Sequence, residues 1–245
     1  MNKNVSLFIP CTVDLFLPEI GEATVKVLRR LGVNPVYHEK QTCCGQPAMN
    51  AGYRDQARKA AKHFLRIFGD DDVIVSPSGS CVYMIKKHYP ELLCDEPHWL
   101  RRAEDLSERI YEFTQYIVDV LGIDDAGARY EGKVTYHESC HVLRGLGIST
   151  QPKKLLASIS GAEMVPLFAA DFCCGFGGEF ADRYHYISEE LVKEKVQNFV
   201  ASGADLIVLC EPGCLLNIGG YLSRHHPGKK AMHMASLLAE TGWEG

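Results

Sequence analysis

Ile74-Val75-Ser76-Pro77-Ser78-Gly79-Ser80-Cys81-Val82-Tyr83-Met84-Ile85 decides the fold, because the chain writes it a second time as Ile207-Val208-Leu209-Cys210-Glu211-Pro212-Gly213-Cys214-Leu215-Leu216-Asn217-Ile218. In each copy a short apolar run, of the kind that forms a buried parallel strand, ends in a loop that carries a cysteine. Upstream of each copy lies a second repeated element, Cys43-Cys44-Gly45 in the first half and Cys173-Cys174-Gly175 in the second. Thirty-one residues separate Cys11 from Cys43, and 32 separate Cys140 from Cys173. Eight of the ten cysteines therefore fall into two matched sets of four: Cys11, Cys43, Cys44 and Cys81, then Cys140, Cys173, Cys174 and Cys214. Cys210 is an extra thiol of the second half. Cys94 has no twin, since Pro227 stands at the matching place, and it reads as a packed or spare thiol.

The secondary structure repeats with the thiols. Residues 5–9 form a buried strand that ends at Pro10-Cys11, residues 20–31 a helix closed by Gly32, and residues 34–38 a strand followed by the first Cys-Cys-Gly. A long helix over 52–68 then leads into the strand 72–75. Helical patterning returns over 83–89 and 99–109, and a short strand at 111–113 precedes a helix over 114–121. In the second half the strands are predicted at 134–136, 164–167, 204–209 and 231–234, with helices over 154–159, 188–200 and 235–240. Strands alternating with helices predict an α/β fold of two similar tandem halves, each a mostly parallel sheet flanked by helices, with ligand sites beyond the carboxyl ends of the strands. The polar stretch 125–132 is the expected linker between a first repeat, 1–124, and a second, 133–245.

The bulk numbers fit this picture. At 245 residues either one large or two small domains can bury a core, and 46% apolar with 23% charged residues is ordinary for a globular protein. A net charge of −5, with no basic stripe interleaved with aromatics, argues against nucleic acid as a partner. No apolar run approaches the roughly 20 residues that span a bilayer, so no transmembrane segment is expected. Ten cysteines without a secretion signal imply a reducing compartment, the cytoplasm by default, where thiols bind metal or do redox chemistry.

Four cysteines per half is the count that an iron–sulfur cluster needs, drawn from loops that converge when the sheet forms. Packing of buried thiols is the bland alternative, and two matched sets make it improbable. Zinc is the sharper competitor, since four sulfurs suit it, but structural zinc sites usually draw on spaced knuckles rather than consecutive cysteines. A glycine after each pair, Gly45 and Gly175, permits an unusual backbone angle and close approach of the main chain to an inorganic core. Zinc remains open for one half. His137 and His141 flank Cys140, with Glu138, and are candidates for tuning a centre from just outside its ligands; the alternative is loop histidines that satisfy their own hydrogen bonds. Gly175-Phe176-Gly177-Gly178 lacks the last glycine of a dinucleotide fingerprint and supports the metal loop instead.

Glu39-Lys40-Gln41-Thr42-Cys43-Cys44-Gly45-Gln46-Pro47-Ala48, Tyr136-His137-Glu138-Ser139-Cys140-His141, Cys173-Cys174-Gly175-Phe176-Gly177-Gly178 and Cys214-Leu215-Leu216-Asn217-Ile218 carry a resemblance. They resemble the cysteine-rich, CCG-type domain found in heterodisulfide reductase and in the glycolate oxidase iron–sulfur subunit, and the lactate utilization protein A family in particular. The resemblance covers essentially the whole chain as two copies. It implies an iron–sulfur subunit that acts with a ferredoxin-like iron–sulfur protein and a third small protein in oxidising L-lactate to pyruvate. The CCG-bearing subunit of heterodisulfide reductase closes each set with C-x2-C, giving five thiolates and a non-cubane cluster. Met84 and Asn217 stand at those places here, so a four-thiolate 4Fe–4S cluster in each half, up to two per chain, is the simpler expectation, with Cys210 a possible extra ligand in the second half only. No flavin or nicotinamide signature appears, and the hydride chemistry of a hydroxy acid calls for a partner or a further cofactor. The catalytic residue is unknown from sequence. Two other classes remain: a thiol/disulfide redox subunit like heterodisulfide reductase, and a zinc-bearing structural subunit.

Overall fold

Apolar runs too short for helices form the strands. In the first half these are β1 (Lys3–Leu7), β2 (Val33–Tyr37), β3 (Ile74–Ser76) and β4 (Ile110–Glu112), all parallel in the order β2-β1-β3-β4. In the second half β5 (Arg129–Tyr136), β6 (Ser160–Met164), β7 (Leu206–Leu209) and β8 (Lys230–His233) repeat it as β6-β5-β7-β8. Even the register agrees, with Leu7 opposite Val75 and Tyr136 opposite Val208. These relations come from a computed structural model that describes residues 3–240; residues 1, 2 and 241–245, at the outer bounds of the two expected repeats, lie outside the described residues. β3 and β7 are buried along their whole length, as continuous apolar strands between two layers must be. The direction in which successive strands are added reverses between β1 and β3, and again between β5 and β7, which opens a crevice at the carboxyl ends.

The two halves share a core. Leu7, Val13 and Val27 of the first half and Val134, Leu206 and Leu238 of the second belong to one continuous apolar cluster. Helices are exchanged reciprocally across it. Met234–Ala239 packs on Pro18–Arg30 of the first half, where Arg30 donates to the carbonyl of Leu238, and Thr150–Ala157 packs on the helical stretch 113–120. Each half adds a cluster of its own, around Phe64 and Phe68 in the first and around Val196 and Phe199 in the second.

Several sequence expectations are displaced. The strand predicted at 164–167 is β6, Ser160–Met164, because Pro166 has no N–H to continue the ladder and an edge strand needs no apolar run. β5 begins at Arg129, inside the polar stretch expected as a linker. Its first five residues lie half in solvent, and only Val134, Thr135 and Tyr136 are buried. Helices Cys11–Phe16, Gln46–Asn50, Glu179–Arg183 and Pro212–His225 had no sequence expectation. The first three are too short to show a period. The fourth begins at Pro212, where the missing N–H costs nothing at a first helical position.

At the end of β4 the Glu112 side chain caps the following helix, its Oε2 accepting from Thr114 N at 2.8 Å and Gln115 N at 3.2 Å. His233 does the same at the end of β8, its Nδ1 accepting from Ala235 N at 3.1 Å. Burial pushes the Glu112 carboxyl up to about 7, from an ordinary 4.5. The folded state therefore holds a proton that the unfolded chain has released, so stability is fullest below pH 4.5 and is lost as pH rises through about 7. Glu112→Gln removes that proton and its pH dependence. Urea unfolding of both forms at matched metal content is expected to show the variant gaining on the wild type by roughly 1 kcal/mol per pH unit across that window; parallel profiles would exclude the buried proton.

Candidate metal centre

Each cysteine stands where a strand delivers it. Cys11 opens a helix just beyond β1, Cys43-Cys44 occupies the loop after β2, and Cys81 lies in the first turn of the helix Gly79–Tyr83 after β3. Cys140, Cys173-Cys174 and Cys214 follow β5, β6 and β7 in the same way. Ser78 caps the Cys81 helix, its Oγ accepting from Cys81 N at 3.4 Å, and Glu211 caps the Cys214 helix by accepting from Gly213 N at 3.4 Å.

The glycine of each Cys-Cys-Gly is in the left-handed region, with φ of +88° at Gly45 and +85° at Gly175. Each lies against a long helix, where a Cβ would come within 2.9 Å of Ala60 Cβ or 2.7 Å of the Ser188 carbonyl oxygen. The glycine N–H then faces back to the first cysteine, 3.4 Å from Cys43 Sγ and 3.3 Å from Cys173 Sγ. The second cysteine's carbonyl is held in both halves, by Tyr89 Oη at 2.9 Å from Cys44 O and by Asn217 Nδ2 at 2.8 Å from Cys174 O. Met84 is buried in the apolar core. Neither Met84 nor Asn217 supplies a thiolate, and Met84 does not line the cavity.

All eight cysteines of the two sets line a single cavity of about 190 Å³ between the halves. All are free thiols. Sulfurs lie 3.5 Å apart at Cys11 and Cys43, 3.3 Å at Cys44 and Cys81, and 3.1 Å at Cys174 and Cys214. Close pairing splits the titration within each set. A hydrogen bond from Cys11 holds Cys43 down to about 3, and one from Cys140 holds Cys173 down to about 2. Cys214 is also well below the thiol range, chiefly through Cys174. Their partners Cys11, Cys140, Cys44 and Cys174 are raised by the same pairing together with burial. Both sets thus already favour a thiolate, the form that ligates metal. Eight reduced, soft donors facing one cavity fit thiolate-held metal.

Glu211 links the sets. Its carboxylate accepts from Ser80 N at 2.7 Å and Ser80 Oγ at 2.9 Å across the cavity wall, while it caps its own helix. Burial pushes that carboxyl up to about 7. It was not legible as a site residue, although Glu-Pro ahead of Gly-Cys is an acidic helix cap and signals an N-terminus. Lys195 was also missed. It sits in the apolar stripe of helix His185–Ala201 with Val192, Val196 and Phe199 on either side, only 1% exposed, and a cation in a core stripe is a readable anomaly.

The remaining candidates separate. Cys210 is fully buried, receives a hydrogen bond from Tyr136 Oη at 3.5 Å, and is not among the residues lining the cavity. Cys94 is exposed, which makes it spare rather than packed. His141 lines the cavity beside Tyr83 of the other half, ring centroids 5.0 Å apart, and burial lowers its pKa. His137 is fully buried and, like Cys210, is not among the residues lining the cavity, with Nδ1 3.1 Å from the carbonyl of Ala170. Its Nε2 has no hydrogen-bond partner among the described residues, which leaves a satisfied loop histidine only half true.

The cysteine-rich CCG domain matches this chain twice, over residues 5–86 and 134–219. Lactate utilization protein A of Shouchella clausii is 46% identical over 235 residues, covering 96% of this chain and 98% of that protein. Lactate utilization protein A of Bacillus subtilis is 45% identical over 234 residues, with the same coverage. The chain belongs to the lactate utilization protein A family. A solved structure of a hypothetical protein from Helicobacter pylori shares the fold of this family member, with a TM-score of 0.62 at 10% identity over 99% of this chain. The chain spans half the length of that protein. No helix among the described residues is long and apolar enough to cross a membrane.

Because Gly175 combines a left-handed φ with a backbone oxygen 2.7 Å from a Cβ, Gly175→Ala is expected to cost roughly 1–3 kcal/mol in urea unfolding. Gly45→Ala, which meets the side chain of Ala60 rather than backbone, is expected to cost less; the reverse order would contradict this account of the loops.

Proposed function

We propose that this chain is an iron–sulfur electron-transfer subunit of a system that oxidises L-lactate, or a related 2-hydroxy acid, with pyruvate as the product from lactate. The observation that carries the reading is the convergence of two complete four-cysteine sets on one cavity. Cys11, Cys43, Cys44 and Cys81 would hold one 4Fe–4S cluster, and Cys140, Cys173, Cys174 and Cys214 the other, in repeats spanning 1–124 and 133–245. Such clusters supply one-electron transfer when bound. The chain's own residues hold the thiolates, exclude water through the buried sulfurs of Cys44, Cys81, Cys174 and Cys214, and fix the two sets relative to each other through Glu211.

Lactate enters through the printed name of the relatives. A two-electron oxidation of a hydroxy acid requires a hydride acceptor or its equivalent, which is assigned to a partner. The partners proposed on the family resemblance are a ferredoxin-like iron–sulfur protein and a third small protein, in the cytoplasm. Cys173 is exposed, and it offers the second centre an edge open to such a partner.

A second reading, zinc in the second half, is favoured by one observation: ligand atoms of His137, Cys174 and Cys214 lie within 4.8 Å of one another, a mixed nitrogen and sulfur set that zinc accepts. Analysis of protein purified without oxygen separates the two. About eight irons and eight sulfides per chain are expected, and Cys44→Ser is expected to leave about half of each. Unchanged content in the variant would sink the assignment of Cys44, and stoichiometric zinc without acid-labile sulfide would replace electron transfer with a zinc-bearing structural role.

A further inference from the structure

The two repeats superpose in hydrogen-bond register, so each residue of the first site has a definite counterpart in the second. Phe8 N donates to Val75 O at 2.9 Å, and His137 N donates to Val208 O at 2.9 Å, which makes Phe8 and His137 equivalent. Gly45 rests on Ala57 and Gly175 on Ser188, and the residues seven positions further along those helices are Phe64 and Lys195. In the first repeat Phe8 and Phe64 pack edge to face with centroids 4.9 Å apart. The second repeat replaces this apolar pair with a buried imidazole and a buried ammonium.

These substitutions are organised around three successive carbonyls, those of Ala169, Ala170 and Asp171. Lys195 Nζ donates to Ala170 O at 3.3 Å and to the carbonyl of Ala169, Arg144 Nη1 donates to Asp171 O at 2.9 Å, and His137 Nδ1 meets Ala170 O at 3.1 Å. Basic side chains from separate elements thus fix the backbone that leads into Cys173-Cys174. A carbonyl oxygen only accepts, so His137 Nδ1 carries a proton, and it is the neutral form of such a ring that presents a lone pair on Nε2. That Nε2 is buried and has no hydrogen-bond partner among the described residues, and a ring nitrogen of His137 lies within 4.8 Å of the sulfurs of Cys174 and Cys214. A histidine that donates one ring nitrogen to a backbone carbonyl and keeps the other free beside a group of thiols has the arrangement of a metal ligand.

We propose that His137 is a direct ligand of the second centre, through Nε2, and that the two centres of this chain are therefore unlike. The first is held by cysteine alone, with Phe8 where the ligand would be; the second is held by cysteine and histidine. His137 would hold the metal by donating the Nε2 lone pair of its neutral ring. If histidine took the place of one of the four thiolates, the cluster would carry less negative charge and its potential would rise, so electrons would settle on the second centre. The inference rests on the proposed function for the identity of the metal, and on the geometry of His137 for the ligand.

The test is pulsed paramagnetic resonance on reduced, anaerobically purified full-length protein with nitrogen-15 in its histidines, alongside iron and sulfide analysis. A ligand-type histidine nitrogen coupling on one of two centres is expected, lost in His137→Phe and retained in His141→Thr, each variant carrying the residue of the first repeat. The higher of the two midpoint potentials is expected to fall in His137→Phe and to stay in His141→Thr. Protein that holds iron and sulfide but shows only the weak coupling of a hydrogen-bonded imidazolium overturns the ligand assignment and leaves the proposed function standing. Protein that holds zinc without sulfide overturns the proposed function instead. X-ray absorption at the zinc then reads His137 on its own, a nitrogen neighbour present in wild type and lost in His137→Phe supporting the ligand and its absence from wild type overturning it.

Discussion

Parallel pairing is the constraint on which the site depends. In a parallel sheet every carboxyl end lies on the same edge, so the loops after β1, β2 and β3 meet although Cys11, Cys44 and Cys81 are far apart in sequence. The order β2-β1-β3-β4 places the reversal between β1 and β3, and loops that leave in opposite directions open the space into which the sulfurs turn. An antiparallel arrangement would send alternate loops to the far edge and scatter the set.

Duplication then converts two such edges into one site. The exchange of helices between halves, Met234–Ala239 against Pro18–Arg30 and its counterpart, buries apolar surface from both repeats in a common core. That packing turns the two edges toward each other. Glu211 is the sharpest consequence, because a single buried carboxylate satisfies orphan N–H groups at the starts of two helices, one from each repeat. Two helix N-termini favour negative charge there, while burial disfavours it, and the carboxyl rests at about 7 as a result. The repeats are alike in backbone and unlike in lining, since one packs aromatic rings behind its thiols and the other packs His137 and Lys195.

Much of the fold was legible because its signals are local. Buried strands such as Leu206–Leu209 are continuous apolar runs, and the helix Arg54–Phe68 carries its own period and ends at Gly69. β6 was misplaced because an exposed edge strand has no apolar signature, and Met164-Val165-Pro166-Leu167 supplied a false one nearby. Helix Pro212–His225 has a buried face of Cys214, Ile218, Tyr221 and Leu222, but it begins inside the repeated segment that carries Cys214, where the loop signal masks the helical period.

That the chain is a duplicated α/β protein with two four-cysteine sets at strand ends follows from the order of residues alone, since count, spacing and apolar runs are properties of neighbouring residues. It took the packing of the two halves to show that both sets face one cavity, that Cys210 lies away from it against Tyr136, and that His137, with one ring nitrogen unpartnered among the described residues, lies beside Cys174 and Cys214. Those outcomes depend on how two sheets pack and which side chains lose contact with water. No spacing within the chain encodes either.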